Sequence, residues 1–139
     1  MKFTKKTLSC LLLSSVLPAT AFADITFTNN TTSSQVSFFY KHWCSNIVDG
    51  GVIQPNGGRY TLDQFTIDNN CFKECLVDVF TSDNCSENTK IARAKISSKE
   101  GGISNIANFS SNHIVEGSGS AASIREATGG NSWFGKFFG

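Results

Sequence analysis

The chain is poor in the residue patterns that carry recognisable chemistry. Its two histidines, His42 and His113, stand alone, and Cys44, Cys71, Cys75 and Cys85 show neither C-x-x-C pairs nor cysteine with histidine at zinc-ligand spacing. No segment follows the ligand order of an EF-hand. Asp49, Asp63, Asp68-Asn69-Asn70 and Asp83-Asn84 are instead ordinary β-turn residues. Gly117-Ser118-Gly119-Ser120-Ala121 lacks the G-x-S-x-G order of a nucleophile elbow and reads as a flexible connector. The acids are scattered, with no identifiable acid–base pair, although distant strands can bring such a pair together in space. No helical apolar stripe of useful length follows the first 23 residues. The one sizeable apolar run, Leu8 to Leu17, falls short of the roughly 20 residues that cross a bilayer.

That run has a different use. Lys2, Lys5 and Lys6 precede it, Pro18 ends it, and Ala19-Thr20-Ala21-Phe22-Ala23 follows. A basic start, a short apolar core and an Ala-x-Ala exit form the pattern of a cleaved secretory signal, so residues 1–23 are expected to be removed and the mature chain to begin at Asp24. Cys10 leaves with the signal. Three of the 12 basic residues leave too, and nine then face 11 acids. No basic stripe survives, which removes the electrostatic basis for nucleic-acid binding. The expected destination is the periplasm or the cell exterior.

In an exported chain, an even set of four cysteines reads as two disulfides. His42-Trp43-Cys44 would place an imidazole and a thiol on one strand face, but pairing of Cys44 leaves His42 as a structural or rim residue. Leu76 to Thr81 reads as a strand, which holds Cys75 roughly 20 Å from Cys85 at about 3.3 Å per residue. A disulfide needs Cα atoms about 4.4–6.8 Å apart. Cys44–Cys85 with Cys71–Cys75 is the favoured arrangement, and Cys44–Cys75 with Cys71–Cys85 is the alternative.

Alternation predicts a succession of short strands. Ile25 and Phe27 mark the first, ending at Asn29-Asn30. In the second, Val36, Phe38, Tyr40 and His42 share one face, and Ser37, Phe39, Lys41 and Trp43 the other. Gly50-Gly51 and Pro55-Asn56-Gly57-Gly58 are turns enclosing a short Val52-Ile53 strand. Tyr60, Leu62, Phe65 and Ile67 fall on another extended segment, closed by Asp68-Asn69-Asn70. The Leu76 to Thr81 strand pairs with Lys90 to Ser97, where Ala92, Ala94 and Ile96 face inward and Arg93 and Lys95 face water. Weaker strands follow at Ile103 to Phe109, His113 to Glu116 and around Ile124. The pattern predicts an all-β fold: a small antiparallel β-sandwich, or partly open barrel, over 24–116.

A Gly/Ser-rich segment and an aromatic tail then occupy 117–139. On a helix, Trp133, Phe134, Phe137 and Phe138 would share one broad sector, suited to a partner groove or a membrane interface. Alternatively, the same aromatics fold back over an exposed edge of the domain. Asn-x-Ser/Thr triplets begin at Asn29, Asn30, Asn84 and Asn108, and matter only in a host that glycosylates them.

The Ala-x-Ala exit, Ile25-Thr26-Phe27-Thr28-Asn29-Asn30, the Gly-Pro turn region and Cys71 to Cys85 together resemble small, uncharacterised secreted β-sandwich proteins of gammaproteobacteria. The opening strand, Gly-rich turn and next strand are also similar to the start of thaumatin-like domains, over roughly half of the mature chain. The many cysteines of a full thaumatin-like domain are missing, so no acidic cleft and no functional residue carries over. The expected function is a non-catalytic secreted or periplasmic binding protein for a protein, a glycan or a membrane surface, with no cofactor or metal. The alternatives are a small secreted hydrolase with a site built from distant residues, and a structural envelope-associated protein.

Overall fold

A computed structural model describes residues 24–71, 74–97 and 101–127. The expected signal over 1–23 and the aromatic tail, with Trp133, Phe134, Phe137 and Phe138, lie outside the described residues.

The fold is all-β. Among the described residues nine strands run in chain order: β1 Ile25–Asn29, β2 Ser37–Tyr40, β3 Trp43–Cys44, β4 Gly58–Leu62, β5 Glu74–Phe80, β6 Lys90–Ser97, β7 Gly102–Asn108, β8 His113–Ser118 and β9 Ala121–Glu126. They form a four-stranded sheet in the order β4-β1-β9-β8 and a five-stranded sheet in the order β3-β2-β5-β6-β7. All pairings are antiparallel except one: β9 lies parallel to β1, with Thr26 opposite Ala121 and Asn29 opposite Ile124. The sheet holding β1 and β9 is therefore mixed rather than purely antiparallel.

Alternating side chains from the two sheets meet in a single core. Ile25, Phe27, Leu62, Val115, Ala122 and Ile124 come from the first sheet. Phe38, Tyr40, Val77, Val79, Ala92 and Ile96 oppose them from the second. Ala94 is also buried, whereas Arg93 is exposed, so β6 presents its apolar face as the alternation requires. Asp78 on β5 takes two bonds from Arg93, at 2.6 and 3.2 Å, while Lys90 Nζ sits 3.4 Å away.

Four local expectations give way. The second strand stops at Tyr40. Lys41 adopts φ 59° and the chain reverses, so that Tyr40 pairs with Trp43 and Phe39 with Cys44. No Gly, Asn or Asp marks this turn; the hairpin is held by contacts distant in sequence, above all the disulfide that joins Cys44 to Cys85 with Cα atoms 6.0 Å apart. The second disulfide joins Cys71 to Cys75, with Cα atoms 4.9 Å apart.

The segment holding Phe65 and Ile67 is not extended. It forms the helix α1, Gln64–Asn70, whose N-cap is Asp63, with its carboxylate accepting from Thr66 N at 2.8 Å. That bond holds the Asp63 carboxyl below its usual pKa. On a strand Phe65 and Ile67 would share a face, but at about 100° per residue a helix sets them on opposite sides. Ile67 is accordingly buried and Phe65 exposed.

The Gly/Ser segment expected to be a connector after residue 116 is part of the sandwich. Gly117 and Ser118 end β8, and Ala121 begins β9, which occupies an interior position between β1 and β8. Here small residues mark a tight reversal, not a linker. Val52 likewise forms no strand, and Ile53 makes a single bridge to Val36.

Candidate binding surface

The two long sides of the sandwich differ. On the β7–β8 side the sheets are sewn together. Ile103 and Gly119 exchange backbone hydrogen bonds of 2.8 and 3.0 Å. Asn108 of β7 uses its side-chain amide in place of a strand, accepting from Val115 N at 2.8 Å and donating to Val115 O at 3.0 Å. Gly102, at φ +122°, lies so close to the Gly119 carbonyl that a Cβ there would collide with it.

The opposite side, between β3 and β4, is lined by aromatic rings. Phe27 of β1 meets Phe38 of β2 at 4.5 Å between ring centroids, and Phe38 stacks on Tyr60 of β4 at 5.9 Å. Tyr40, one turn of alternation further along β2, stacks on Trp43 at 6.1 Å and an interplanar angle of 20°. The series runs from rings that are fully buried to Trp43, which keeps 40% of its surface exposed. Burial pushes the Tyr60 phenol up to about 12, with the neighbouring Tyr40 hydroxyl and the Asp63 charge acting in the same direction. Like any phenol it is protonated at neutral pH, and the raised value extends that state further into the alkaline range.

The hairpin that carries Trp43 is firmly anchored. Behind it, the buried Ser45 hydroxyl accepts from Phe38 N at 2.9 Å and donates to Gly51 O at 2.6 Å. Gly51 packs against the Ser45 carbonyl closely enough that any Cβ would clash. Cys85, bonded to Cys44, donates its N–H to the Ser37 hydroxyl at 3.0 Å, and that hydroxyl donates to Ser82 O at 2.7 Å. Trp43 is thus an exposed ring on a braced support, which lowers the entropy cost of contact with a partner.

Other exposed apolar side chains are dispersed. Phe39 and Leu76 sit on the outer face of the five-stranded sheet, Ile47 follows β3, and Phe109 follows β7. A shallow concavity of about 350 Å³ on the outer face of the four-stranded sheet is lined by Thr28, Asn30, Glu116, Ala121 and Ser123 among others. Its one carboxylate, Glu116, is engaged by Arg125 at 2.9 Å, which holds its pKa below the usual range. No second acid and no histidine among the described residues lines it. Among the described residues no group of three or more His, Cys, Asp or Glu side chains is placed to hold a metal.

Sequence reasoning found the cysteines of this region but did not single out Trp43 as a contact residue, and treated Lys41, His42 and Trp43 as one continuing strand. It did not find Tyr60 as a partner of Phe38, because that contact crosses between sheets and leaves no local periodicity. Compared with known proteins, the chain matches no protein-family model, no curated protein and no solved structure.

Proposed function

We infer that this protein is an exported, non-catalytic binding module of the periplasm or cell exterior. It would contact a protein, a glycan or a membrane surface through the aromatic rim at Trp43. The observation that carries this reading is Trp43 itself, 40% exposed and stacked on Tyr40 in a hairpin clamped by Cys44–Cys85. Tryptophan is enriched among the residues that dominate binding energy, and a pre-organised ring contributes most. Export is supported by the leader pattern over 1–23 and by the two disulfides, which persist in oxidising compartments. Among the described residues, no helix is long and apolar enough to cross a membrane.

The test compares the purified protein with its Trp43→Ala variant on a glycan panel, on lipid vesicles and on immobilised envelope proteins. Loss of at least about tenfold in affinity for one of these classes is expected, the usual cost of truncating a dominant aromatic contact. Equal binding by both proteins across all three would rule out the rim.

A further inference from the structure

The β3–β4 side of the sandwich has a second property, and it belongs to the backbone. In β1, Thr26 N and Asn30 N donate to Ser120 O and Ile124 O, so the even-numbered residues of that strand turn their peptide groups toward β9. Ile25, Phe27 and Asn29 therefore turn theirs toward β4, opposite Leu62, Tyr60 and Gly58. It follows that the N–H and C=O groups of Arg59 and Thr61 point the other way, out from the sheet. Both residues are exposed, and among the described residues nothing pairs with those groups.

Proteins usually blunt an edge with a proline, a bulge, a covering segment or extreme shortness. The other edges here show such devices. β3 has only two residues, and β7 and β8 are bound to each other through Ile103, Gly119 and the Asn108 amide. β4 carries none of them: Gly58–Leu62 contains no proline, and its register with β1 runs without a shift.

The groups along this edge are their own complement. When a second β4 approaches antiparallel with a two-fold axis at Tyr60, Arg59 lies opposite Thr61 of the second copy, and Thr61 opposite its Arg59. Each of these pairs exchanges both backbone hydrogen bonds, which satisfies every outward N–H and C=O of Arg59 and Thr61. The two Tyr60 residues then face each other at a non-hydrogen-bonded position, where Cα atoms come within about 4.5 Å. Charge agrees with this register. Asp63 continues β4 with extended backbone, so it falls on the same outer face as Arg59 and Thr61. Across the axis, Asp63 of one copy is the diagonal neighbour of Arg59 of the other, about 7–8 Å away, a gap that a long side chain spans. Among the described residues Arg59 has no ion-pair partner in its own chain, whereas Arg93 and Arg125 each have one. Symmetry forms the new pair twice, with each Arg59 turned away from the other.

We propose that β4 pairs antiparallel with β4 of a second copy of this chain, about an axis at Tyr60, joining two four-stranded sheets into one. The contact is isologous and uses the same edge on both copies, so assembly stops at a dimer. It is made by the β4 backbone and not by the Trp43 ring, so the outcome of the Trp43 binding test leaves it untouched.

Sedimentation equilibrium combined with hydrogen exchange decides it. The purified protein should pass from monomer to dimer as concentration rises. Over about a hundredfold range, the Arg59 and Thr61 amides should exchange at least about tenfold more slowly at the concentrated end. Thr61→Pro removes an outward donor but none of the β1–β4 bonds, and should abolish the dimer. Arg59→Glu sets like charges beside Asp63 of the other copy and should weaken association at least about fivefold at low salt. Amides at Phe27 and Val79 serve as the folding control and should be protected throughout. A protein that stays monomeric up to about millimolar concentration would overturn the proposal. So would a dimer that survives both substitutions unchanged. Protection of Arg59 and Thr61 that is independent of concentration would overturn it too, because the edge is then filled within one chain.

Discussion

Where β1 ends, the Asn29 side chain takes over the hydrogen bonding that the sheet gives up. Its amide nitrogen donates to Ser34 O at 2.7 Å and to Ile53 O at 2.9 Å, and its oxygen accepts from Thr31 N at 3.0 Å and Thr31 Oγ1 at 2.7 Å. Asn29 and Thr31 are both fully buried. Asn29→Ala should therefore lower unfolding stability by about 2–4 kcal/mol, since several buried groups lose partners at about 1–3 kcal/mol each. Urea denaturation measures this, and a change below about 0.5 kcal/mol would contradict the network. The sequence marks Asn29-Asn30 as a strand end but does not show that Asn29 is buried, because its partners come from two separate segments, the loop at Thr31 and Ser34 and the residue Ile53. The same burial leaves no room for a glycan at the triplet that Asn29 begins.

At the scale of elements, the two disulfides differ in what they join. Cys44–Cys85 ties the β2–β3 hairpin to the loop after β5 across 41 residues, whereas Cys71–Cys75 spans four. In the chain-entropy view the first stabilises by about 4 kcal/mol and the second by about 2. Replacing Cys44 and Cys85 together by Ser should lower the denaturation midpoint more than replacing Cys71 and Cys75; the reverse order would show that the hairpin holds without its clamp. Strands with one apolar face were legible: β1, β5 and β6 lie where alternation sets them. Helix α1 was not, because seven residues carry too few turns for a helical period and Asp63 reads equally well as a turn or a cap. The Lys41-His42 reversal was hidden for a different reason, since alternation continues unbroken through it. At β9, Gly and Ser around Ala121 suggested a linker, and only the partner strand β1 shows otherwise.

For the whole molecule, charge sets a pH window. Desolvation acts against the Asp78 carboxylate, but Arg93 and Lys90 outweigh it and hold its pKa below the usual range. Glu116 is lowered by Arg125, and Glu126 by the Thr32 backbone bond. Groups lowered in the folded state stabilise it above their unfolded pKa, and that contribution fades as pH falls below about 4. Tyr60 acts at the other end: with its pKa raised to about 12, its contribution is complete below about pH 10 and is lost as pH rises toward 12. Thermal melts should accordingly give a plateau bounded by a fall on the acid side and a second fall above about pH 10, the latter moved or removed in Tyr60→Phe. A second fall unchanged in Tyr60→Phe would place the alkaline transition elsewhere. The pairing of β1 with β9 has a consequence in time. Thr26 meets Ala121, so the first of the described strands lies beside the last of them. Until residue 126 has emerged, one sheet has only a two-stranded fragment, β4 with β1, and half of the core has no lid. Contacts this distant in sequence also form slowly. A chain threaded N-terminus first would therefore stay pliable through most of its passage and lock only once β9 was through.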